Sequence, residues 1–255
     1  MALDFNLLTL FPEMFPGCLG QSLSGKALEN GQWSYECTNI RDFATDTHKS
    51  VDDTPYGGGA GMVMRPDIIE KALLSLEDSR TGKLEDSNSP ILKSSNPRNI
   101  YLSPRGKPLT QALIKDLATE QEITLLCGRY EGIDQRVLDA HNFEEISIGD
   151  YILSGGEPAA LILMDACIRL LPGVMGNAET PNEESFSQTT GGLLEYPHYT
   201  KPAQWTSANG TTYEVPETLT SGHHQNIKQW RTEQSQILTK HRRPDLLRDN
   251  KIKTD

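Results

Sequence analysis

Two glycines set between a hydroxyl and a carboxylate, Ser154-Gly155-Gly156-Glu157, are the residues of this sequence best suited to enclose a small molecule. Glycine lets backbone N–H and C=O groups approach a ligand that a Cβ would hold off, although a glycine pair alone also describes a plain tight turn. Just downstream, Asp165 and Arg169 stand four apart on a predicted helix and therefore share a face. That would put a fixed charge pair at the wall of whatever the turn encloses. The same spacing describes an ordinary intrahelical ion pair of small energetic weight. A second glycine cluster, Pro55-Tyr56-Gly57-Gly58-Gly59-Ala60-Gly61-Met62, lies between Asp52-Asp53 and Arg65-Pro66. It has neither the Gly-Lys-Ser/Thr of a phosphate loop nor the spacing of a dinucleotide fingerprint. An aromatic and paired carboxylates beside the glycines favour a mobile flap over a linker.

The element that must position the first turn is marked at both ends. Apolar alternation predicts a strand over 146–153, interrupted at Gly149-Asp150. Ser154 and Glu157 have capping-box spacing, Pro158 suits the first helical position, and Pro172-Gly173 ends the helix at Leu171. Between these signals only Asp165 and Arg169 are charged, so the helix must be covered nearly all round, by its own domain or by another subunit. Further upstream the pattern predicts strands over 5–11, 33–40, 99–103 and 122–127, and helices over 19–29, 67–76, 111–119 and 134–140. Residues 41–54 read as a long polar loop, and 77–98 as a disordered insertion without chemistry.

This is an α/β pattern with a mainly parallel sheet. Three of its strands run into glycine-bearing loops, and in such sheets ligands collect outside the carboxyl ends. The converging loops offer backbone groups and tyrosines but no cluster of Lys or Arg, which favours a neutral adenosine-like molecule over a polyphosphate.

With 255 residues the chain can bury one large core or two smaller ones. A net charge of -11 argues mildly against a protein that coats nucleic acid, but the charge is uneven. Residues 220–253 carry eight Lys/Arg against three acids, a net of +5. That segment is either a local phosphate-binding face or a solvated helix surface. Residues 176–192 are polar and read as an interdomain linker, after which 193–255 form a small, helical, basic second domain. The four cysteines show no C-x-x-C pairing and three lie in apolar surroundings, as expected of reduced thiols in a cytoplasmic protein. With no leader-like start and no run of eighteen apolar residues, neither export nor membrane insertion is expected.

Seven runs, LFPEMF (10–15), RDF (41–43), VDDTPYGGGAGM (51–62), YLSPRG (101–106), CGRYEGIDQRV (127–137), SIGDYILSGGEPA (147–159) and PHYTKP (197–202), together resemble the bacterial tRNA (guanine-N1)-methyltransferases of the SPOUT class. The resemblance spans nearly the whole chain in order, apart from 77–98 and the last residues. It implies a SPOUT domain over 1–175 with a deep C-terminal trefoil knot, a linker over 176–192 and a helical tRNA-binding domain over 193–255. It also implies S-adenosylmethionine held by Tyr101, Leu102, Ser103 and Pro104, by Gly128, Tyr130 and Glu131, and by Ile148, Gly149, Asp150, Tyr151, Ile152, Leu153, Gly155, Gly156 and Pro158.

A homodimer with shared active sites follows from the same resemblance. The implied substrate is a tRNA with guanosine at position 37, immediately 3′ of the anticodon, whose N1 is methylated to prevent frameshifting. Arg169 matches the family's arginine near O6, Asp52 a flap carboxylate that positions substrate, and Mg²⁺ dependence is a family trait with Glu131 near the ion. Where the family typically reads Asp-Ser-Phe at its proposed base, this chain reads Glu184-Ser185-Phe186. The resemblance assigns the base to Glu184, with Glu183 as the neighbouring alternative. An extra methylene shifts the carboxylate by roughly 1.5 Å, a displacement that a flexible segment absorbs. Two other readings stay open on the sequence: a knotted RNA-binding protein with little catalysis, and a methyltransferase acting on another RNA position.

Overall fold

The computed structural model describes residues 2–85, 97–176 and 183–249 and divides the chain into two units, one ending at Gly176 and the other beginning at Asn177. In the first unit β1 (Leu3–Thr9), α1 (Ser22–Glu29) and β2 (Trp33–Asn39) are followed by the two-residue strands β3 (Asp52–Asp53) and β4 (Val63–Met64), which pair antiparallel. Then come α2 (Pro66–Glu85), β5 (Arg98–Pro108), α3 (Gln111–Leu117), β6 (Glu122–Leu126), α4 (Gln135–Ala140), β7 (Glu144–Ser147) and α5 (Glu157–Ile168). Five strands make one all-parallel sheet in the order β2-β1-β6-β5-β7.

β6 is buried at every residue of Glu122-Ile-Thr-Leu-Leu126, as a parallel strand covered on both faces must be. One core joins Phe5, Trp33, Ile123 and Leu125 to residues of α1, α3 and α5. The other joins Leu8 and Leu126 to Ile68, Ile69 and Leu73 of α2 and to Val137 and Leu138 of α4. Helices thus cover both faces.

Three expectations are corrected. β7 stops at Ser147, and residues 148–153 form a loop, because Tyr151-Ile152-Leu153 are exposed rather than packed in a sheet. Helix α5 ends at Ile168 with Arg169 as its C-cap, and no capping box forms: Gly156 is the N-cap without a side-chain bond, while the Glu157 carboxylate turns inward. Residues 77–85, expected as insertion, continue α2; 86–96 lie outside the described residues. Of the cysteines, Cys127 and Cys167 are buried, Cys37 half-buried and Cys18 exposed. Burial pushes the Cys167 thiol up to about 12 and that of Cys37 up to about 11.

β5 makes an excursion that matters for the site. Leu102 and Lys107 both align with Ile146 of β7, so Ser103 to Gly106 loop out between them. A Cβ on Gly106 would lie 2.3 Å from the Ile146 nitrogen, so only glycine lets the strand return to its neighbour.

Near the base of β5, Arg98 Nε donates to Glu144 Oε2 at 2.9 Å, and Lys107 also pairs with Glu144. Burial alone would raise the Glu144 carboxyl, but the Arg98 and Lys107 bonds outweigh it and hold it below its ordinary value. A depressed carboxyl stabilises the fold above its unfolded pKa, about 4.3 for glutamate, and loses that contribution as pH falls through the folded value. The thermal midpoint should therefore be flat above about pH 5 and fall progressively below about pH 4. Glu144→Gln should lower the neutral-pH midpoint and flatten part of the acid limb; an unchanged midpoint at both ends would remove Glu144 from the account.

In the second unit, Glu183 to Gly192 fold locally. The Phe186 N–H donates to the Leu193 carbonyl at 3.0 Å, and Ser187 caps a 3-10 turn over Gln188–Thr190. A hairpin of β8 (Gln204–Thr206) and β9 (Thr212–Glu214) and a helix over His224–Arg242 follow. Inside that helix Thr239 is buried, accepting from the Leu194 N–H at 2.9 Å and donating to the Ser235 carbonyl at 2.7 Å. No helix among the described residues is long and apolar enough to cross a membrane.

Candidate active site

The excursion of β5 and the carboxyl ends of β6 and β7 open into one cleft of about 240 Å³. It is lined by Tyr101 to Pro104, where β5 enters its excursion, by Gly128 to Gly132 after β6, and by Ile146 to Gly149 at the end of β7 with Tyr151 to Gly156 beyond it, closed by Ala159 of α5. Of the expected cofactor residues the structure brings together Tyr101, Leu102, Ser103, Pro104, Gly128, Tyr130, Glu131, Ile148, Gly149, Tyr151, Ile152, Leu153, Gly155 and Gly156. Asp150 and Pro158 stand beside the cleft without lining it. Ser154, expected in the enclosing turn, lines it too, and Arg129, Gly132, Ile146, Ser147 and Ala159 do so without having been named as cofactor residues.

Close packing builds the walls. The Tyr101 ring lies where a Gly128 Cβ would be, 2.8 Å from its Cε2, and burial raises the Tyr101 phenol above its ordinary value. Gly156 donates its N–H to the Gly128 carbonyl at 2.9 Å, and a Cβ there would fall 2.8 Å from the Cys127 Cα. The loop that follows β7 thus packs directly on the end of β6. Tyr130 holds a left-handed φ of 59°, a conformation that non-glycine residues keep mostly where a site demands it. Tyr151, Ile152 and Leu153, the apolar triplet that reads as strand, form an exposed lip, with Ile152 79% exposed.

Arg129 is the residue that sequence reasoning missed. Its Nη2 approaches the Glu157 Oε2 at 2.8 Å, with Glu157 fully buried. The guanidinium sits 4.3 Å from the Phe11 ring centroid, and Nη1 donates to the Ser154 carbonyl at 3.3 Å. The other Glu157 oxygen, Oε1, accepts from Thr9 Oγ1 at 2.8 Å. A lone arginine in a loop and a glutamate in capping-box spacing give no sign that they meet, because their separation matches no helical or strand period.

The flap is tied to the cleft at its downstream end. Glu131 N–H donates to the Met62 carbonyl at 2.9 Å, Met64 N–H donates to the Gly132 carbonyl at 2.9 Å, and a Cβ on Gly61 would strike the Glu131 side chain. Gly57, Gly58 and Gly59 have open space around them. Asp52 pairs in register with Met64, placing it at the root of the flap and not among the lining residues.

Arg169 also lies outside the cleft. It caps the far end of α5, and 12 helical residues at about 1.5 Å each set it roughly 18 Å from the Gly156 turn. The expectation that Asp165 and Arg169 would wall the glycine turn is therefore corrected: a turn at one end of a helix and a pair toward the other cannot share a wall. Glu184 belongs to the second unit.

The cleft suits a purine nucleoside carrying a compact polar tail. Leu102, Ile146 and Ala159 give a buried apolar lining, Glu131 supplies an acid, and Arg129 is already ion-paired. A polyphosphate would need free cations that this lining does not offer. Among the described residues, no group of three or more His, Cys, Asp or Glu is placed to hold a metal ion.

Residues 3–249 match the family model described as tRNA (Guanine-1)-methyltransferase TrmD. Among curated proteins, one named tRNA (guanine-N(1)-)-methyltransferase from Rhodospirillum rubrum is 56% identical over 246 residues, covering 96% of this chain and 93% of its own length. Proteins of the same name from Mesorhizobium japonicum and Agrobacterium fabrum are 54% and 52% identical, covering 97% and 100% of this chain and 97% and 100% of their own lengths.

Proposed function

Since the chain belongs to the tRNA (guanine-1)-methyltransferase family, we propose that it transfers a methyl group from S-adenosylmethionine to N1 of the guanosine at position 37, immediately 3′ of the anticodon in tRNA. The observation that carries this reading is the meeting of the β5 excursion with the loops after β6 and β7 in one cleft, in a chain that matches this family along almost its whole length. The cofactor supplies an electrophilic methyl group. A base in an anticodon loop can be splayed out and read on its Watson–Crick edge.

N1 of guanine carries a proton at neutral pH, so the chain must remove it before the nitrogen can attack. We assign that step to Glu184. Its carboxylate takes the N1 proton as the N1–methyl bond forms and the sulfur–methyl bond breaks, leaving S-adenosylhomocysteine. Arg169 would face O6, where negative charge develops, and Asp52 would hold the substrate beneath the flap.

Since Arg169 lies a helix length from the cleft of its own chain, the reading includes a homodimer with shared sites. An antiparallel second copy of α5 would carry its Arg169 toward this cleft, and Ile162 is 47% exposed on that helix. Magnesium dependence belongs to the same proposal, and Glu131 is the cleft acid that would neighbour the ion. A cytoplasmic setting is proposed with it, where tRNA and reduced thiols occur together.

The test uses labelled S-adenosylmethionine and two anticodon-loop RNAs, one with consecutive guanosines at positions 36 and 37 and one with adenosine at 37. Label should enter only the first. No label in either RNA, with cofactor still bound, would leave an RNA-binding protein; label at another nucleotide would move the reading to another RNA position.

A further inference from the structure

The Gly155-Gly156 wall of the cleft has little to hold it in place by itself. Ser154 and Gly155 belong to a bend without regular structure, and Gly155 carries no side chain to anchor. What fixes the wall lies behind it. Arg129 reaches from the end of β6, placing its Nε 2.3 Å from where a Gly155 Cβ would be and one Nη on the Ser154 carbonyl. The other Nη faces Glu157, the first residue of α5. Glu157 in turn accepts from Thr9, whose hydroxyl also accepts from the Phe11 N–H at 3.0 Å. One chain of contacts therefore joins the ends of β1 and β6, the glycine turn and the start of α5.

This cluster stands out energetically. Glu157 is fully buried and the Arg129 side chain is 19% exposed, so the pair has given up most of its hydration. Yet neither Glu157 Oε2 nor Arg129 Nε has an aligned hydrogen-bond partner among the described residues, so the 2.8 Å approach is charge against charge. A buried pair replaced by apolar residues of similar volume often costs nothing, so its presence is weak evidence for stability as such. Its position directly behind a ligand wall offers a different use. Both charges face a turn that is otherwise tied back by the Gly156 N–H bond to the Gly128 carbonyl, which leaves Ser154 and Gly155 to the arginine.

Resting on the cofactor reading above, we infer that Arg129 and Glu157 form a latch that pre-sets the Ser154 to Gly156 wall for S-adenosylmethionine, and that both act as positioning residues. Lysine cannot replace the arginine, since one ammonium cannot face Glu157 and the Ser154 carbonyl as two separate Nη atoms do. Glu157→Gln keeps the shape and the Thr9 bond while removing the charge that holds Arg129. If the wall then spends about a tenth of its time in the binding geometry, apparent affinity falls about tenfold.

The experiment measures S-adenosylmethionine binding by calorimetry, and the thermal midpoint, for the full-length wild type, Glu157→Gln, Arg129→Lys and a control, Leu163→Ala, which empties a buried site on α5 away from the cleft lining. The expected result is a Kd raised about tenfold in both latch variants but unchanged in the control, even where all three midpoints fall. A latch that serves only the fold would lower the midpoints and leave Kd alone, and that outcome overturns the inference. So does a control whose Kd rises as much. A wild type that binds no S-adenosylmethionine would instead overturn the functional reading beneath it.

Discussion

Glu184→Gln is expected to lower the single-turnover methylation rate by about 10² to 10⁴ at saturating cofactor and RNA, the usual contribution of a positioned general base. The amide matches the carboxylate in size but cannot accept the N1 proton, so S-adenosylmethionine binding should be unchanged. The backbone around it is held locally. The Ser187 N–H donates to the Glu184 carbonyl at 3.2 Å, Ser185 Oγ accepts from the Glu195 N–H at 2.9 Å, and Phe186 takes a left-handed φ of 67°. Glu184→Asp, which restores the residue that the family typically carries, should keep most of the rate. A full rate in Glu184→Gln would transfer the role to Glu183 or remove general-base help from the mechanism.

Gly156→Ala should abolish measurable cofactor binding. Its Cβ would fall 2.8 Å from the Cys127 Cα and 2.9 Å from the Gly128 nitrogen, and these are backbone atoms of the central strand's end that cannot swing aside. Either the 2.9 Å bond from the Gly156 N–H to the Gly128 carbonyl breaks, or the β7 loop lifts from β6. A displacement of about 1 Å at such a wall can cost on the order of a hundredfold in function. Calorimetry with S-adenosylmethionine and a thermal scan decide it; wild-type affinity in a folded variant would show that the two loops need not touch.

Much of this was legible in the residues. Ile123 to Cys127 reads as a buried strand because nothing polar but Thr124 interrupts it, and α5 because Pro158 and Pro172-Gly173 bracket an apolar run. The three loops could be named because each follows such a strand. Tyr151-Ile152-Leu153 misled because hydrophobicity does not distinguish a sheet face from the lip of a cleft. Residues 77–85 misled in the opposite direction: Leu, Glu and Lys there are good helix formers, and a polar composition alone does not separate a helix from a disordered insertion. The Arg129 to Glu157 pair was beyond pattern reading, since it exists only once two strand ends and a turn have met.

The order of strands has a consequence for how the chain is made. β1 is complete by Thr9, but its inner neighbour is β6, and the Asn6 amide bonds a Glu122 carboxylate 116 residues further on. At about 5 to 20 residues per second, a ribosome leaves that inner edge of β1 unpaired for roughly 6 to 25 s. The cleft is later still, since its last wall is Gly156. An emerging chain therefore carries an open apolar strand well before it can grip any cofactor, and chaperone capture of the nascent protein should be greatest in that interval.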